Sequence, residues 1–325
     1  MPVNKSRIPW VDIVKGIGIF LVVLGHVYRN NAVLIWLYSF HMPLFFMLSG
    51  WLHTAKRKSL SMIDYCIKKF QLLIIPMIIF LSISYIYWLL VERHFRDFDI
   101  GPMWFLIILF LVDVFFEAMI IKLKRYVWLL LPVLLIGFFF GTIFLKSTCI
   151  FIWLSRLLGG CFFFFVGGVF SLVVELKTFT IKKRMLIASI ILLILSGILS
   201  YLNGRVDMYS LIIGRSFLLL IANAFIGSSA VVCFSVFLSK CKLFQYMGRH
   251  SIIILCTHEP IKRLIIKVLS VLIGRETEAI RNDILFGFFI AVIVVAFEFL
   301  VIETIKQISR TCSKTKFAWL VAFVK

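Results

Sequence analysis

The segment DIVKGIGIFLVVLGH, residues 12–26, places three ionisable side chains in an otherwise apolar stretch. Asp12, Lys15 and His26 are separated by three and eleven residues. An α-helix turns by about 100° and rises by about 1.5 Å per residue, so eleven residues return His26 to within about 20° of the face of Lys15, about 16 Å further along the axis. The segment therefore predicts a membrane-embedded helix with a cation and an imidazole on one face.

The rest of the chain is as apolar as this segment. Of its 325 residues, 62% are hydrophobic and 15% are charged, and the mean hydropathy is +1.07. A soluble chain of this length cannot bury so much apolar surface, because single hydrophobic cores stop growing near this size. Lipid must solvate much of it, and we predict an all-α polytopic membrane protein.

Ten apolar runs are each long enough to cross a bilayer, which takes about 17 to 25 residues in a helix. The eighth is too long for one straight span, so we expect it to be tilted, broken at Gly227 or extended beyond the bilayer. We interpret residues 1–325 as a single integral membrane domain. The predicted spans cover residues 9–28, 33–52, 70–91, 103–121, 127–145, 149–174, 184–202, 208–238, 251–273 and 283–305.

The net charge of +20 has a simple explanation in a membrane protein. Lys and Arg gather in cytoplasmic loops, and the loops on the side of the N-terminus carry the large majority of them. Both termini are therefore predicted to be cytoplasmic, and no nucleic acid partner is expected. The seven cysteines lack metal-ligand spacing, so no metal site is predicted.

Ionisable side chains recur in the later spans. Each costs at least about 2.5 kcal/mol to insert, so such residues usually face a bundle interior and mark function. His41 lies in the second span, within FHMPLFFMLSGWL. Because the first two spans run antiparallel, we expect His41 near the depth of His26.

The ninth span contains ILCTHEPIKRLIIK, which is rich in charge. Glu259 and Arg263 are four residues apart and predict a neutralising ion pair. His258 and Lys262 leave excess positive character, which suits an anion such as a phosphate. The alternative is that the lysines of this span pair with acids on other spans, for which the candidates are Asp113, Glu117 and Glu298.

Two arginines and a tryptophan complete the candidate site. Arg156 and Arg215 each lie about two helical turns from the outer end of a predicted span. With the two histidines they would form the outer half of a polar column. Trp104, in GPMWFL, begins the fourth span near the membrane interface, where Trp is common.

Four motifs resemble the acyltransferase-3 family of integral membrane O-acyltransferases, in particular its fucose 4-O-acetylase-like branch. They occur in the family's order over nearly the whole chain, and they are DIVKGIGIFLVVLGH, FHMPLFFMLSGWL, GPMWFL and ILCTHEP. The family's first span carries Arg-x10-His. Here Lys15 and His26 have that spacing, although Lys lacks the bidentate fork of Arg.

The resemblance implies that an acyl group moves from cytoplasmic acyl-CoA, most often acetyl-CoA, to a hydroxyl of a surface polysaccharide or lipid-linked sugar. It also implies a multi-pass protein of the bacterial cytoplasmic membrane. An imidazole suits the general base of such a transfer. We predict His26 as that base, assisted by Asp12, Lys15 and His41, in a direct transfer or through an acyl-imidazole.

The remaining polar residues are predicted to bind the substrates. We assign Lys15, His258 and Lys262 to the CoA phosphates, and Arg156, Arg215 and Trp104 to an acceptor such as a polyprenyl diphosphate sugar. A transporter or flippase for a lipid-linked glycan is the competing interpretation, since a polar column across the bilayer suits it too. The chain shows no clear internal repeat of the kind that many transporters have.

Overall fold

The computed structural model describes residues 8–57, 60–92, 100–144, 148–173 and 182–312. Over these residues the chain is almost entirely helical, with one two-residue antiparallel hairpin of β1 (Val206–Asp207) and β2 (Ile212–Ile213). The α-helices are α1 (Pro9–Val27), α2 (Asn31–Tyr38), α3 (His41–Ala55), α4 (Met62–Lys69), α5 (Ile75–Tyr87), α6 (Trp104–Leu123), α7 (Leu130–Phe144), α8 (Cys149–Val173), α9 (Lys182–Asn203), α10 (Phe217–Phe237), α11 (Lys242–Arg249), α12 (Ser251–Ile273), α13 (Thr277–Asn282) and α14 (Ile284–Cys312).

The prediction of an all-α polytopic membrane protein is confirmed. In the described part of the chain, eight helical stretches are long and apolar enough to cross a membrane. One of them, Gly101–Phe144, is 44 residues long and contains both α6 and α7, which match the fourth and fifth predicted spans. The ninth predicted span forms α12. This helix is not among the eight apolar stretches because it carries too many charged side chains.

Two predicted spans have different boundaries in the structure. The eighth begins at Phe217 and not at residue 208, because the preceding residues form the β1–β2 hairpin. Gly227 does not break α10; the ring of Phe40 packs where its side chain would be. The second span is divided at Ser39, whose hydroxyl and backbone N–H both donate to the carbonyl of Trp36 and end α2.

The third span is continuous but longer than predicted. It runs from Met62 to Leu90 and contains a π-helical segment, Phe70–Ile74, between α4 and α5. Pro76 follows this segment and has no N–H for the carbonyl four residues before it. The wider turn before Pro76 accommodates that missing hydrogen bond.

Helix α1 lies in the middle of the bundle. It packs against α3, α10, α11, α12 and α14, and residues along its whole length are buried. One of these neighbours, α3, packs in turn against α8, and the two helices approach each other through Gly50 and Gly167. A Cβ atom on Gly50 would lie 1.9 Å from the carbonyl oxygen of Phe164, so only glycine permits this approach. The central position of α1 brings its polar side chains into the protein interior.

Candidate active site

Three of the cavities along α1 in the described part of the bundle are relevant to the site. The lysine cavity, of about 460 Å³, is lined by Lys15, Lys56, Arg57, Lys68 and Lys69 among others. The histidine cavity, of about 270 Å³, is lined by residues that include His26, His41, Trp104, Tyr209 and Glu259. The arginine cavity, of about 530 Å³, is lined by residues that include Arg29, Arg205, Arg263, Lys267 and Arg281.

The histidine cavity lies between the two basic cavities. It shares Val22, Met42 and Leu255 with the lysine cavity. It shares His26, Tyr38, Glu259 and Arg263 with the arginine cavity. Lys15 and His26 stand eleven residues apart on the straight helix α1, which corresponds to about 16 Å. A substrate group in the arginine cavity is therefore adjacent to His26, whereas the lysine cavity meets the histidine cavity at apolar residues.

His26 and His258 form a pair of imidazoles with ring centroids 5.1 Å apart. His26 lines two cavities, and 29% of its side chain is exposed. His258 is fully buried, and its Nδ1 donates to the carbonyl of Ile254 at 2.9 Å. Its Nε2 has no hydrogen-bond partner among the described residues. A neutral ring that donates through Nδ1 carries a lone pair on Nε2. His258 is therefore a proton acceptor behind His26.

His41 approaches the histidine cavity from α3. It is 5% exposed, and its Nδ1 donates to the carbonyl of Leu37 at 2.7 Å. The ring of Tyr38 lies 5.1 Å from its ring, and the Tyr38 hydroxyl donates to the carbonyl of Gly25 at 3.1 Å. These contacts hold His41 in one tautomer, with Nε2 free to accept a hydrogen bond.

Glu259 is the carboxylate next to His26. Its Oε2 lies 3.8 Å from His26 Nδ1 and 2.7 Å from Lys262 Nζ, and its Oε1 accepts from Arg263 Nε at 3.0 Å. The expected pairing of Glu259 with Arg263 is therefore present, but Lys262 also binds Glu259 and not an acid on another span. From the sequence, Glu259 was predicted only to neutralise Arg263. Its contact with a residue of another helix carried no sequence signal.

Asp12 and Lys15, which were predicted from the sequence to assist His26, lie towards the other end of α1. Asp12 accepts from Arg249 Nε at 3.3 Å, at the opposite end of α1 from His26. Lys15 makes no hydrogen bond to a described residue, and it faces the lysine cavity. Lys15 and His26 thus contribute to different cavities. The predicted part of Asp12 in catalysis finds no geometric support.

A buried polar network borders the lysine cavity, and sequence analysis did not find it. His53 Nδ1 lies 2.6 Å from Asp113 Oδ1, and His53 Nε2 lies 2.8 Å from Glu117 Oε2. Ionised carboxylates only accept, so both ring nitrogens donate, as in an imidazolium. Lys69 binds Asp113, and Arg57 donates to Glu117. His53 lies one residue beyond the predicted second span, so it was not among the ionisable residues within spans that were considered as site candidates.

This network also corrects the proposed partners of the lysines in α12. Asp113 and Glu117 bind His53, and the remaining candidate, Glu298, accepts from the hydroxyl of Thr257 at 2.6 Å. None of the three acids pairs with Lys262 or Lys267 in the described structure. Those lysines belong to the arginine cavity instead.

Trp104 lines the histidine cavity, where its ring lies 5.9 Å from that of Tyr209. Arg156 is 7% exposed and donates twice to the carbonyl of Tyr209, at 2.9 and 2.6 Å. Arg156 lines none of the three cavities. It holds Tyr209, in the turn of the β1–β2 hairpin, which lines the histidine cavity. Arg215 is exposed, donates to the carbonyl of Leu202, and precedes α10 rather than lying in a span. Acceptor contacts by either arginine stay predictions that this geometry does not favour.

His26, His258 and Glu259 also have the spacing of a possible metal site, since their ligand atoms lie within 4.8 Å of one another. Glu259 is already bound by two cationic side chains, Lys262 and Arg263. Positive charge at this distance opposes a divalent cation. The charge around these three residues therefore does not favour a metal ion there.

The fold and site define a polytopic membrane protein with an internal histidine cavity between two basic cavities. The family model described as an acyltransferase domain, that of the acyltransferase-3 family, matches residues 8–303. The chain belongs to that family and is a membrane acyltransferase, as the motifs predicted. No curated protein and no solved structure matches it significantly.

Proposed function

We propose that the protein is an O-acetyltransferase of the fucose 4-O-acetylase-like branch, located in the bacterial cytoplasmic membrane. It would transfer acetyl from cytoplasmic acetyl-CoA to a hydroxyl of a surface-polysaccharide or lipid-linked sugar. The observation that carries this proposal is the position of His26, in a cavity that adjoins a basic cavity on either side. Family membership supports acyl transfer over the alternative of a glycan flippase.

The lysine cavity suits the CoA phosphates. It lies at the end of α1 that the charge distribution of the loops assigns to the cytoplasm. Lys15 faces it without a carboxylate partner, and Lys56 and Lys68 also line it. The apolar residues Ile19 and Val22 continue the wall towards His26. We assign this wall to the pantetheine arm, which places the thioester at the histidine cavity.

His26 is the proposed general base. It takes the proton of the acceptor hydroxyl as that oxygen attacks the thioester carbonyl, and a tetrahedral intermediate forms. Collapse of the intermediate breaks the carbon–sulfur bond, and the CoA thiolate takes up the proton from His26. Glu259 stabilises the imidazolium between these steps, and Arg263, which lines the same cavity, is assigned to the oxyanion. His41 accepts a hydrogen bond from the acceptor through Nε2.

Transfer of labelled acetyl from acetyl-CoA into the glycan fraction of membranes tests this function. Wild-type protein should transfer label, and His26→Ala should not, at equal abundance in the membrane. His250→Gln is the matched control, because His250 lines none of the three cavities. Full transfer by His26→Ala would remove His26 from the mechanism. Export of unmodified glycan without any label would favour the flippase.

A further inference from the structure

The arginine cavity has a strong excess of positive charge. Six basic side chains line it, and Glu259 is the carboxylate among its described lining residues. These basic side chains are Arg29, Arg205, Lys262, Arg263, Lys267 and Arg281. Glu259 is shared between Lys262 and Arg263, so it does not neutralise the other four.

Three of these cations have no partner of their own. The side chains of Arg29, Arg205 and Lys267 make no hydrogen bond or ion pair with any residue that the structure describes. All three are exposed, whereas Lys262, which lines the same cavity, is 4% exposed. Like charges in such a cleft raise the local concentration of anions. The arrangement is therefore ready to bind an anion from the surrounding solution.

Arg281 links this cavity to His26, the proposed general base. Its Nε donates to the carbonyl of Val27 at 2.8 Å, and its Nη2 donates to the carbonyl of His26 at 2.9 Å. It thus binds the last carbonyls of α1, where a cation is favourable. Burial, together with the neighbouring guanidinium of Arg29, lowers the pKa of Arg281 below its usual value. A bound anion would relieve this crowding of positive charge.

The location makes the cluster unusual for a membrane protein. The charge distribution predicts that this end of α1 is the non-cytoplasmic one, where basic residues are sparse. Nevertheless, Arg29 between α1 and α2, Arg205 between α9 and β1, and Arg281 in the short helix α13 converge on one cavity. General attraction to lipid headgroups requires no such convergence around the histidine that is proposed to react.

We propose that the arginine cavity binds a phosphate or diphosphate group of the acceptor and so holds the neighbouring sugar hydroxyl at His26. Guanidinium forks match phosphate oxygens in paired hydrogen bonds. The cavity shares His26 and Tyr38 with the histidine cavity, so a bound phosphate lies beside the reaction site. The anion site stands on the structure alone, and its identification with the acceptor rests on the proposed function.

A binding experiment tests the site without requiring catalysis. Inorganic pyrophosphate is titrated calorimetrically into the full-length protein, in uncharged detergent with saturating CoA. We expect the double variant Arg29→Gln/Arg205→Gln to bind pyrophosphate at least about tenfold more weakly than wild type, and CoA equally well. Arg275→Gln is the control, because Arg275 stacks on Phe286 at the same end of the bundle and does not line the cavity. Unchanged pyrophosphate binding, or a loss of CoA binding, would overturn the proposal.

Kinetics then identify the source of the phosphate. We expect the double variant to raise the KM for the acceptor and to leave the KM for acetyl-CoA unchanged. If the KM rises only for a lipid diphosphate sugar, the bound group is the diphosphate of the lipid carrier. If the KM rises for a phosphorylated free glycan, the bound group is a phosphate of the glycan. If the variant has the same KM as wild type for each of the two acceptors, the arginine cavity does not recognise the acceptor.

Two further outcomes remain decisive. If the double variant does not fold, the single variant Lys267→Gln replaces it, because this exposed side chain has no described partner; its loss of pyrophosphate affinity should be smaller and in the same direction. If wild type transfers no acetyl to any acceptor, the proposed function fails, whereas the pyrophosphate titration still decides whether the anion site exists.

Discussion

The imidazoles of His26 and His258 lie 5.1 Å apart, yet of the two only His26 is among the described residues that line the three cavities. His258 is fully buried behind it, in the tautomer that its bond to the carbonyl of Ile254 selects. Two histidines from the first and last motifs of the chain thus have unequal access to substrate. This difference supports the proposal that His26 is the base and that His258 has a positioning role.

Substitution of the two histidines should therefore have different effects. His26→Ala removes the base and should lower kcat by about 10²- to 10⁴-fold, which is the usual contribution of general base catalysis. His258→Asn should lower kcat less and should alter its pH profile, because the environment of His26 changes. Steady-state kinetics across pH measure both. A larger effect of His258→Asn than of His26→Ala would reverse the assignment.

Lys15 should act on donor binding. Lys15→Met removes a cation from the lysine cavity, and a hydrogen bond to a charged group contributes about 1.5–3 kcal/mol. We expect the KM for acetyl-CoA to rise by about ten- to a hundredfold, with a small change in kcat. Lys240→Met is the control, since Lys240 is exposed and lines none of the three cavities. A fall in kcat at constant KM would place Lys15 in the chemical step.

His53 should be important for stability. His53→Ala leaves the side chains of Asp113 and Glu117, which are 5% and 3% exposed, without the group that separates them. Lys69 and Arg57 still bind the two carboxylates in this variant, so the loss should lie near the lower end of the about 3–5 kcal/mol that a buried charge without a partner costs. Tyr65→Phe removes the hydroxyl that donates to Asp113 at 2.5 Å and lies 2.9 Å from His53 Nδ1; because it removes no charge, it should cost less, about 1–2 kcal/mol. Denaturation in detergent gives both values, and similar losses would contradict the proposed network.

The α3–α8 approach should not tolerate a side chain at Gly50. Gly50→Ala places a Cβ atom 1.9 Å from the carbonyl oxygen of Phe164, so the helices must separate and the melting temperature should fall. Gly197→Ala is the matched control, because a Cβ atom on Gly197 of α9 meets open space. It should leave the melting temperature unchanged or raise it, since Ala favours helix by about 1 kcal/mol over Gly. Equal melting temperatures for the two variants would show that α3 can shift.

The helical class and most of the span positions were predictable because apolar length is a local property. Backbone hydrogen bonds in lipid must be made within each helix, so a long apolar run has few alternatives. The failures occur where side chains change the backbone locally. Ser39 ends α2, and the β1–β2 hairpin replaces the first residues of the eighth span. Neither changes the hydropathy of its segment.

The candidate site was predictable where its residues lie on one helix. The spacing of Lys15 and His26 indicated their shared face and their separation along α1. The contact of His26 with Glu259, the His53 network and the arginine cavity all join residues that are distant in sequence. Periodicity within one helix contains no information on such contacts.

The sequence by itself determined that this is a helical membrane protein, that it carries acyltransferase motifs, and that Lys15 and His26 share a face of α1. The tertiary structure decided which histidine reaches a cavity, which acids bind His53, and where Arg29, Arg205 and Arg281 meet. The physical reason is that hydropathy and helical period act within one segment, whereas the position of a charge in the bundle depends on how the helices pack around α1.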